Sequence, residues 1–152
     1  MDKAALINII SPLAEGLEFN EEQSFLEVIV PNKEIHQLAK QLKENQSTAF
    51  DYLFCQSGVD WPKYLEVVYH LESTTHGHIV VLKTRTDDRE QPTIDTVCDI
   101  WPTAEFHERE IYDLYGIVFN NHPDLRRLLL TEDWEGYPMR KDYVDEVNIV
   151  EM

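Results

Sequence analysis

The alternation of apolar and polar positions divides the chain into a short series of elements. Residues 3–13 have helical spacing, and the helix is predicted to end near Ser11-Pro12, because proline disfavours helix in the residue before it. Residues 25–30 are rich in β-formers and partly alternate, which predicts a strand. Pro31-Asn32 then opens a second helix, with Ile35, Leu38, Ala39 and Leu42 on one face. Residues 50–55 read as a short strand and 58–63 as a turn. Two stronger strands follow at 64–71 and 79–84, and the link between them, with Gly77 in it, suits an antiparallel hairpin. Residues 87–92 are polar and read as an exposed loop; 94–100 read as a strand or an extended segment. Thr103 is the predicted N-cap of a third helix, with Glu105 in its first turn, where the helix dipole favours an anion. His107, Ile111, Leu114 and Tyr115 share a face of that helix, and Gly116 is placed to stop it. A short helical piece is expected around 124–130. This order predicts an α+β fold, a single domain with a mainly antiparallel sheet flanked by helices. The core domain is read as 1–120, and 121–152 as an extended docking segment with a short acidic tail.

Charge narrows the possible partners. The net charge of -16 would repel a phosphate backbone or an anionic lipid surface, so nucleic acid is not expected as a partner. Such acidity suits either a solvated surface or docking onto basic protein surfaces. No apolar run approaches the roughly 20 residues of a membrane helix, so membrane association is expected to be indirect. The opening Met1-Asp2-Lys3-Ala4-Ala5-Leu6 lacks the basic and apolar regions of a secretory signal. Cys55 and Cys98 both sit in apolar surroundings and read as reduced core thiols. There is no CxxC pair for a zinc ribbon or an iron–sulfur cluster.

Catalytic patterns are sparse. Glu105, His107, Glu108 and Glu110 include metal-ligand types, and a stand-alone metal or acid/base enzyme using them is an alternative reading. Helical spacing puts Glu105 and Glu108 on one face but turns His107 away from its neighbours, however, and HExxH is absent. Glu105 and Arg109 instead suit an i, i+4 ion pair, with His107 half-buried. His76 and His78 read as solvated turn histidines. The chain has no GxSxG, GxGxxG or GxxxxGK[ST] motif, so no nucleophile elbow or nucleotide loop is visible.

The last third has a different composition. Arg126, Arg127, Arg140 and Lys141 form a local basic cluster in an acidic chain, able to pair with carboxylates inside the domain or on a partner. Trp134, Tyr137 and Tyr143 lie among them, and this mixture of aromatics and arginine is typical of energetically dominant interface positions. Such a segment either caps its own core or packs onto a neighbour.

The residues Glu108-Arg109-Glu110-x-Tyr112-Asp113-Leu114-Tyr115-Gly116-Ile117 begin a long pattern with fixed gaps. It continues through Phe119, His122-Pro123-Asp124-Leu125-Arg126-Arg127-x-Leu129-Leu130, Asp133, Glu135-Gly136, Pro138 and Arg140-Lys141-Asp142-Tyr143. The pattern closely resembles the C-subunit family of respiratory complex I, the NADH:quinone oxidoreductase. The resemblance implies an α+β scaffold subunit with no catalytic residue and no cofactor of its own. NADH, flavin, iron–sulfur clusters and quinone would belong to the complex, which couples electron transfer to proton translocation. The implied partners are the D-type subunit that bears the quinone site and neighbouring iron–sulfur subunits, on the cytoplasmic side of the bacterial plasma membrane. Related membrane-bound nickel–iron hydrogenases use a similar subunit, so the electron donor stays open. The signature residues expected to serve docking are Glu108, Arg109, Glu110, Tyr112, Asp113, Gly116, His122, Pro123, Leu125, Arg126, Arg127, Asp133, Gly136, Pro138, Arg140, Lys141 and Asp142. In two respects the chain departs from the family: Tyr137 stands where His or another polar residue is expected, and only residues 144–152 follow the last motif.

Overall fold

The computed structural model describes residues 1–144. The expected acidic tail beyond them lies outside the described residues. Helix α1 (Lys3–Ile10) begins at Asp2, whose side chain accepts the Ala5 N–H, and runs into a 3-10 turn, Ser11–Leu13. Then come β1 (Glu18–Asn20), β2 (Leu26–Val30), a 3-10 turn at Asn32–Glu34 and α2 (Ile35–Glu44). Strands β3 (Tyr52–Asp60), β4 (Leu65–Glu72) and β5 (Ile79–Thr86) follow, then β6 (Thr93–Asp95), α3 (Ala104–Tyr115) and β7 (Val118–Asn120).

The main sheet has the order β1-β2-β5-β4-β3. Its β1–β2, β5–β4 and β4–β3 junctions are antiparallel and β2–β5 is parallel. The expected fold class therefore holds. Leu26, Val28 and Val30 on β2, Leu65, Val67, Tyr69 and Leu71 on β4, and Val80 and Leu82 on β5 point to one side. There they meet Leu6 and Ile10 of α1, Ile35, Leu38 and Leu42 of α2, and Ile111 of α3 in one continuous core. The opposite face carries cross-strand ion pairs, Lys83–Glu27 at 3.1 Å and Arg85–Glu66 at 2.7 Å. Strands β6 and β7 pair in parallel as a separate two-stranded sheet beside α3.

Several local readings change. The turn expected at 58–63 begins only after β3 ends at Asp60, where the Trp61 N–H reaches the Tyr64 carbonyl. Gly58 is not a breaker: it lies in the strand because the Tyr115 ring covers it, 2.8 Å from where a Cβ would sit. Only Ile94 and Asp95 of the 94–100 region are strand, in β6; Ile100 and Trp101 then turn back to donate to the Val97 carbonyl. Thr103 stands at the N-cap of α3 as expected, but its side chain makes no capping bond, because its hydroxyl donates to the Leu53 carbonyl instead. His76 and His78 are not free turn residues. Each ring's Nε2 meets a backbone carbonyl, of Gln46 at 2.8 Å and of Thr48 at 2.7 Å, and His78 is buried. These contacts clip the β4–β5 hairpin to the turn that follows α2. Cys55 and Cys98 are free thiols, each only half-buried.

Gly116 ends α3 as the spacing predicted, at φ 78° with its N–H bonded to the Tyr112 carbonyl. A Cβ there would also lie 2.6 Å from the Tyr137 ring. Gly77 has a similar φ of 77° but open space around it. Gly116→Ala is therefore expected to cost about 2–4 kcal/mol, the sum of left-handed strain and overpacking, against about 1 kcal/mol for Gly77→Ala. Paired denaturant titrations check this; equal losses would mean that the Tyr137 contact does not matter.

Candidate functional site

Helix α3 is buried on an unusual face. Glu108, Arg109 and Asp113 are buried alongside Ala104 and Ile111, while His107, Leu114 and Tyr115 are half-buried. Because successive residues turn by about 100°, Glu108, Arg109 and Glu110 point in three directions. The signature triplet thus serves three separate surroundings.

Asp113 organises the C-terminal segment. Its Oδ2 accepts the N–H groups of Leu128, Leu129 and Leu130, at 3.2, 2.7 and 3.0 Å. Its Oδ1 takes a hydrogen bond from the Arg127 guanidinium at 3.0 Å, and both side chains are largely shielded from water. Burial works to raise the Asp113 pKa. The Leu130 N–H, Arg127 and the Leu129 and Leu128 N–H groups outweigh it and hold the carboxyl below the usual aspartate range. The helical piece expected at 124–130 does not form, since these N–H groups converge on one carboxylate rather than on carbonyls four residues back.

Arg127 extends the lock. It also donates to the carbonyls of Asp113, Trp134 and Gly136, and lies 5.0 Å over the Tyr137 ring. Arg109 donates to the carbonyls of Arg126 and Arg127, so the expected Glu105–Arg109 ion pair is not made. A second lock forms at the end of β3. Asp60 holds Arg89 in a two-pronged pair, at 2.7 and 3.0 Å, and accepts the Lys141 N–H at 2.7 Å. The Arg89 guanidinium keeps the Asp60 carboxyl below its ordinary range. Arg140 donates to Asp142 and to the Arg89 carbonyl, and the Met139 N–H to the Leu114 carbonyl.

Glu108 is a different kind of site. Its carboxyl is fully buried and receives the Thr96 hydroxyl, the Val97 N–H at 3.2 Å and the Gln56 amide at 3.3 Å. Burial is the dominant influence and pushes it up to about 7, against these donors, with Asp99 adding to the rise. Cys98, Glu108 and His122 each bring one ligand-type atom within 4.8 Å of the others. Both nitrogens of His122 are already engaged, Nε2 with the Glu105 carbonyl and Nδ1 by the Asp124 N–H, each at 3.0 Å. The four residues weighed from sequence for metal or acid/base chemistry do not converge: Glu108 is buried, Glu105 and His107 are half-buried, and Glu110 is exposed.

The remaining signature residues separate into inward and outward sets. Tyr112 meets Tyr137 edge-on, with ring centroids 6.1 Å apart, and Leu125 packs against the core. Gly136, at φ 83°, leaves room for the Tyr143 ring, and Pro138 is half-buried. Pro123, Asp133 and Lys141 are exposed, and Arg126 makes only an exposed pair with Asp124. Of the basic cluster, Arg127 and Arg140 are therefore absorbed inside the chain. Asp60, Arg89, Gln56 and Thr96 were missed from sequence, because no local pattern marks a carboxylate as the receiver of a segment 81 residues away.

The family described as "Respiratory-chain NADH dehydrogenase, 30 Kd subunit" matches residues 28–147. The C/D subunit of the NADH-quinone oxidoreductase of Phocaeicola vulgatus is 48% identical over 124 residues, 81% of this chain and 24% of that protein. The C subunit of the NADH-quinone oxidoreductase of Chlorobium phaeobacteroides is 43% identical over 131 residues, 84% of this chain and 78% of that protein. The chain thus spans about a quarter of the length of the C/D relatives and most of the latter. Among solved structures, a chain of the "membrane-bound sulfane sulfur reductase (MBS), an archaeal respiratory membrane complex" superposes with a TM-score of 0.78 at 31% identity. That match covers 95% of this chain and 86% of the other.

Asp113→Asn places amide hydrogens where the carboxylate now accepts. It is expected to cost roughly 2–4 kcal/mol and to raise hydrogen exchange at 128–130 at least tenfold; unchanged exchange there would refute the lock. Glu108 behaves oppositely with pH. Its folded pKa of about 7 exceeds the ordinary 4.5, so the stability it contributes is full below 4.5 and is lost as pH rises through 7. The loss amounts to about 3 kcal/mol. Glu108→Gln should therefore be more stable than the wild type at pH 8 but not at pH 4.5, as read from melting curves at the two values.

Proposed function

The chain belongs to the family of the 30 kDa subunit of respiratory-chain NADH dehydrogenase, and we propose that it is a non-catalytic scaffold subunit in the peripheral arm of a proton-translocating NADH:quinone oxidoreductase. In this reading it docks against the D-type subunit that bears the quinone site and against neighbouring iron–sulfur subunits, on the cytoplasmic side of the bacterial plasma membrane. The docking element is the segment 121–152, carried by the core 1–120. Redox groups are supplied by the other subunits.

One observation carries the reading. The polar locks at Asp113 and Asp60 fix a segment that turns apolar side chains outward: Leu129 is 63% exposed and Met139 53%, with Leu128 and Trp134 beside them. A segment fixed in advance loses little freedom on binding, which favours tight association. The joint C/D designation of the Phocaeicola relative supports a D-type partner. No helix among the described residues is long and apolar enough to cross a membrane, which fits attachment through a partner. The likeness to a chain of the sulfane sulfur reductase complex favours a second reading, the equivalent subunit of a related membrane-bound complex with another electron donor or acceptor.

Affinity purification from native membranes, with subunit identification and an NADH:quinone assay, separates the two readings. Leu129→Glu is expected to leave the melting temperature of the purified chain unchanged and to reduce its recovery in the complex at least tenfold. Normal incorporation of this variant with an altered flavin or cluster spectrum would overturn the scaffold role.

A further inference from the structure

Glu110 is the member of the signature triplet with no task inside the chain. Glu108 is enclosed beneath Thr96 and Val97, and Arg109 holds the carbonyls of Arg126 and Arg127. Glu110 is exposed, and among the described residues it makes no ion pair and no side-chain hydrogen bond. It stands on the lip of a crevice of 160 Å³ between α3 and β3, walled by Gly58, Ile111, Leu114, Tyr115 and Met139, with Gln56 and Ser57 adding polar groups. The absence of a side chain at Gly58 lets the Tyr115 ring lie against the strand and form one wall.

The crevice is smaller than the roughly 300–1,000 Å³ of small-molecule pockets, so it suits a single inserted side chain. Its chemistry selects which one. Apolar walls accommodate a methylene stem, an aromatic ring offers a surface to a cation, and a carboxylate waits at the mouth. Burial first, then the Asp60 and Glu110 carboxylates, raise the Tyr115 phenol. The chain has 13 Lys and Arg against 29 Asp and Glu, and Lys83, Arg85, Arg89, Arg127 and Arg140 are already paired internally. Among the described residues no lysine or arginine lies within ion-pair distance of Glu110, so its cation is best supplied from outside. Met139, more than half exposed, joins this crevice to the apolar segment already assigned to docking.

We infer that the α3–β3 crevice receives a lysine or arginine side chain of the partner protein, with Glu110 as its counter-ion. The inference rests on the docking reading above and gives the partner's chemistry at one point of that surface. An ion pair at an interface rim acts mainly on encounter and specificity, and an opposed charge there is strongly unfavourable.

The test compares Glu110→Gln, Glu110→Asp and Glu110→Lys with Leu129→Glu. Recovery of the full chain in the complex from native membranes is measured, and the melting temperature of each purified chain is followed in parallel. Glu110→Lys is expected to lower recovery more than tenfold, Glu110→Gln about three- to tenfold and Glu110→Asp least, with melting unchanged. If Glu110→Lys disturbs folding, the Gln variant decides. Wild-type recovery of the Gln and Lys variants, with Leu129→Glu excluded, overturns the crevice assignment and leaves the docking reading standing. Wild-type recovery of all four variants removes both.

Discussion

The Asp113 carboxylate lies fully buried near the end of α3 and draws three successive peptide N–H groups and one guanidinium onto itself. A buried charge is tolerated only when its lone pairs are satisfied, and each donor here comes from the segment beyond residue 126. The charge and the segment depend on each other. No residue of 121–144 is fully buried, so apolar packing alone would hold this stretch poorly. Arg127, fixed by Asp113, then reaches the carbonyls of Trp134 and Gly136 and shapes the next turn.

This division of labour explains why the exterior can be apolar. Polar groups attach the segment from beneath, while Leu128, Leu129, Trp134 and Met139 face away. A segment tied down by its own apolar side chains would have none left to offer. The second lock, Asp60 with Arg89 and the Lys141 N–H, secures the far end against β3. The two carboxylates sit on different elements, so the strap spans the groove between α3 and the sheet edge, where the Glu110 crevice opens.

Asp113 and Glu108 show one residue class tuned in opposite directions on one helix. Both are fully buried. Asp113 faces a guanidinium and several N–H groups and stays ionised; Glu108 faces a hydroxyl, one N–H and an amide, with Asp99 nearby, and is driven up. The first ties stability to ionisation and the second to the proton, so mildly acidic conditions favour the pair together.

Much of the architecture was legible in the chain. The periodicity of Ile35, Leu38, Ala39 and Leu42 gave α2, the alternation around the hairpin gave β4 and β5, and Gly116 gave the end of α3. These features depend on neighbours a few residues apart, which a linear pattern encodes directly. The fixed-gap signature likewise identified the family. Gly58, by contrast, read as a turn residue because its reason, the Tyr115 ring, comes from a distant helix. The histidines around Gly77 read as solvated because their carbonyl partners lie 30 residues away. The arginine cluster left two destinations open, and only the fold assigned Arg127 to the interior and Arg126 to the surface. The sequence by itself determined the three helices, the central strands, the family and the residue types available. The tertiary structure decided which carboxylates are enclosed and which face outward, because burial and hydrogen-bond partners are set by segments far apart in the chain.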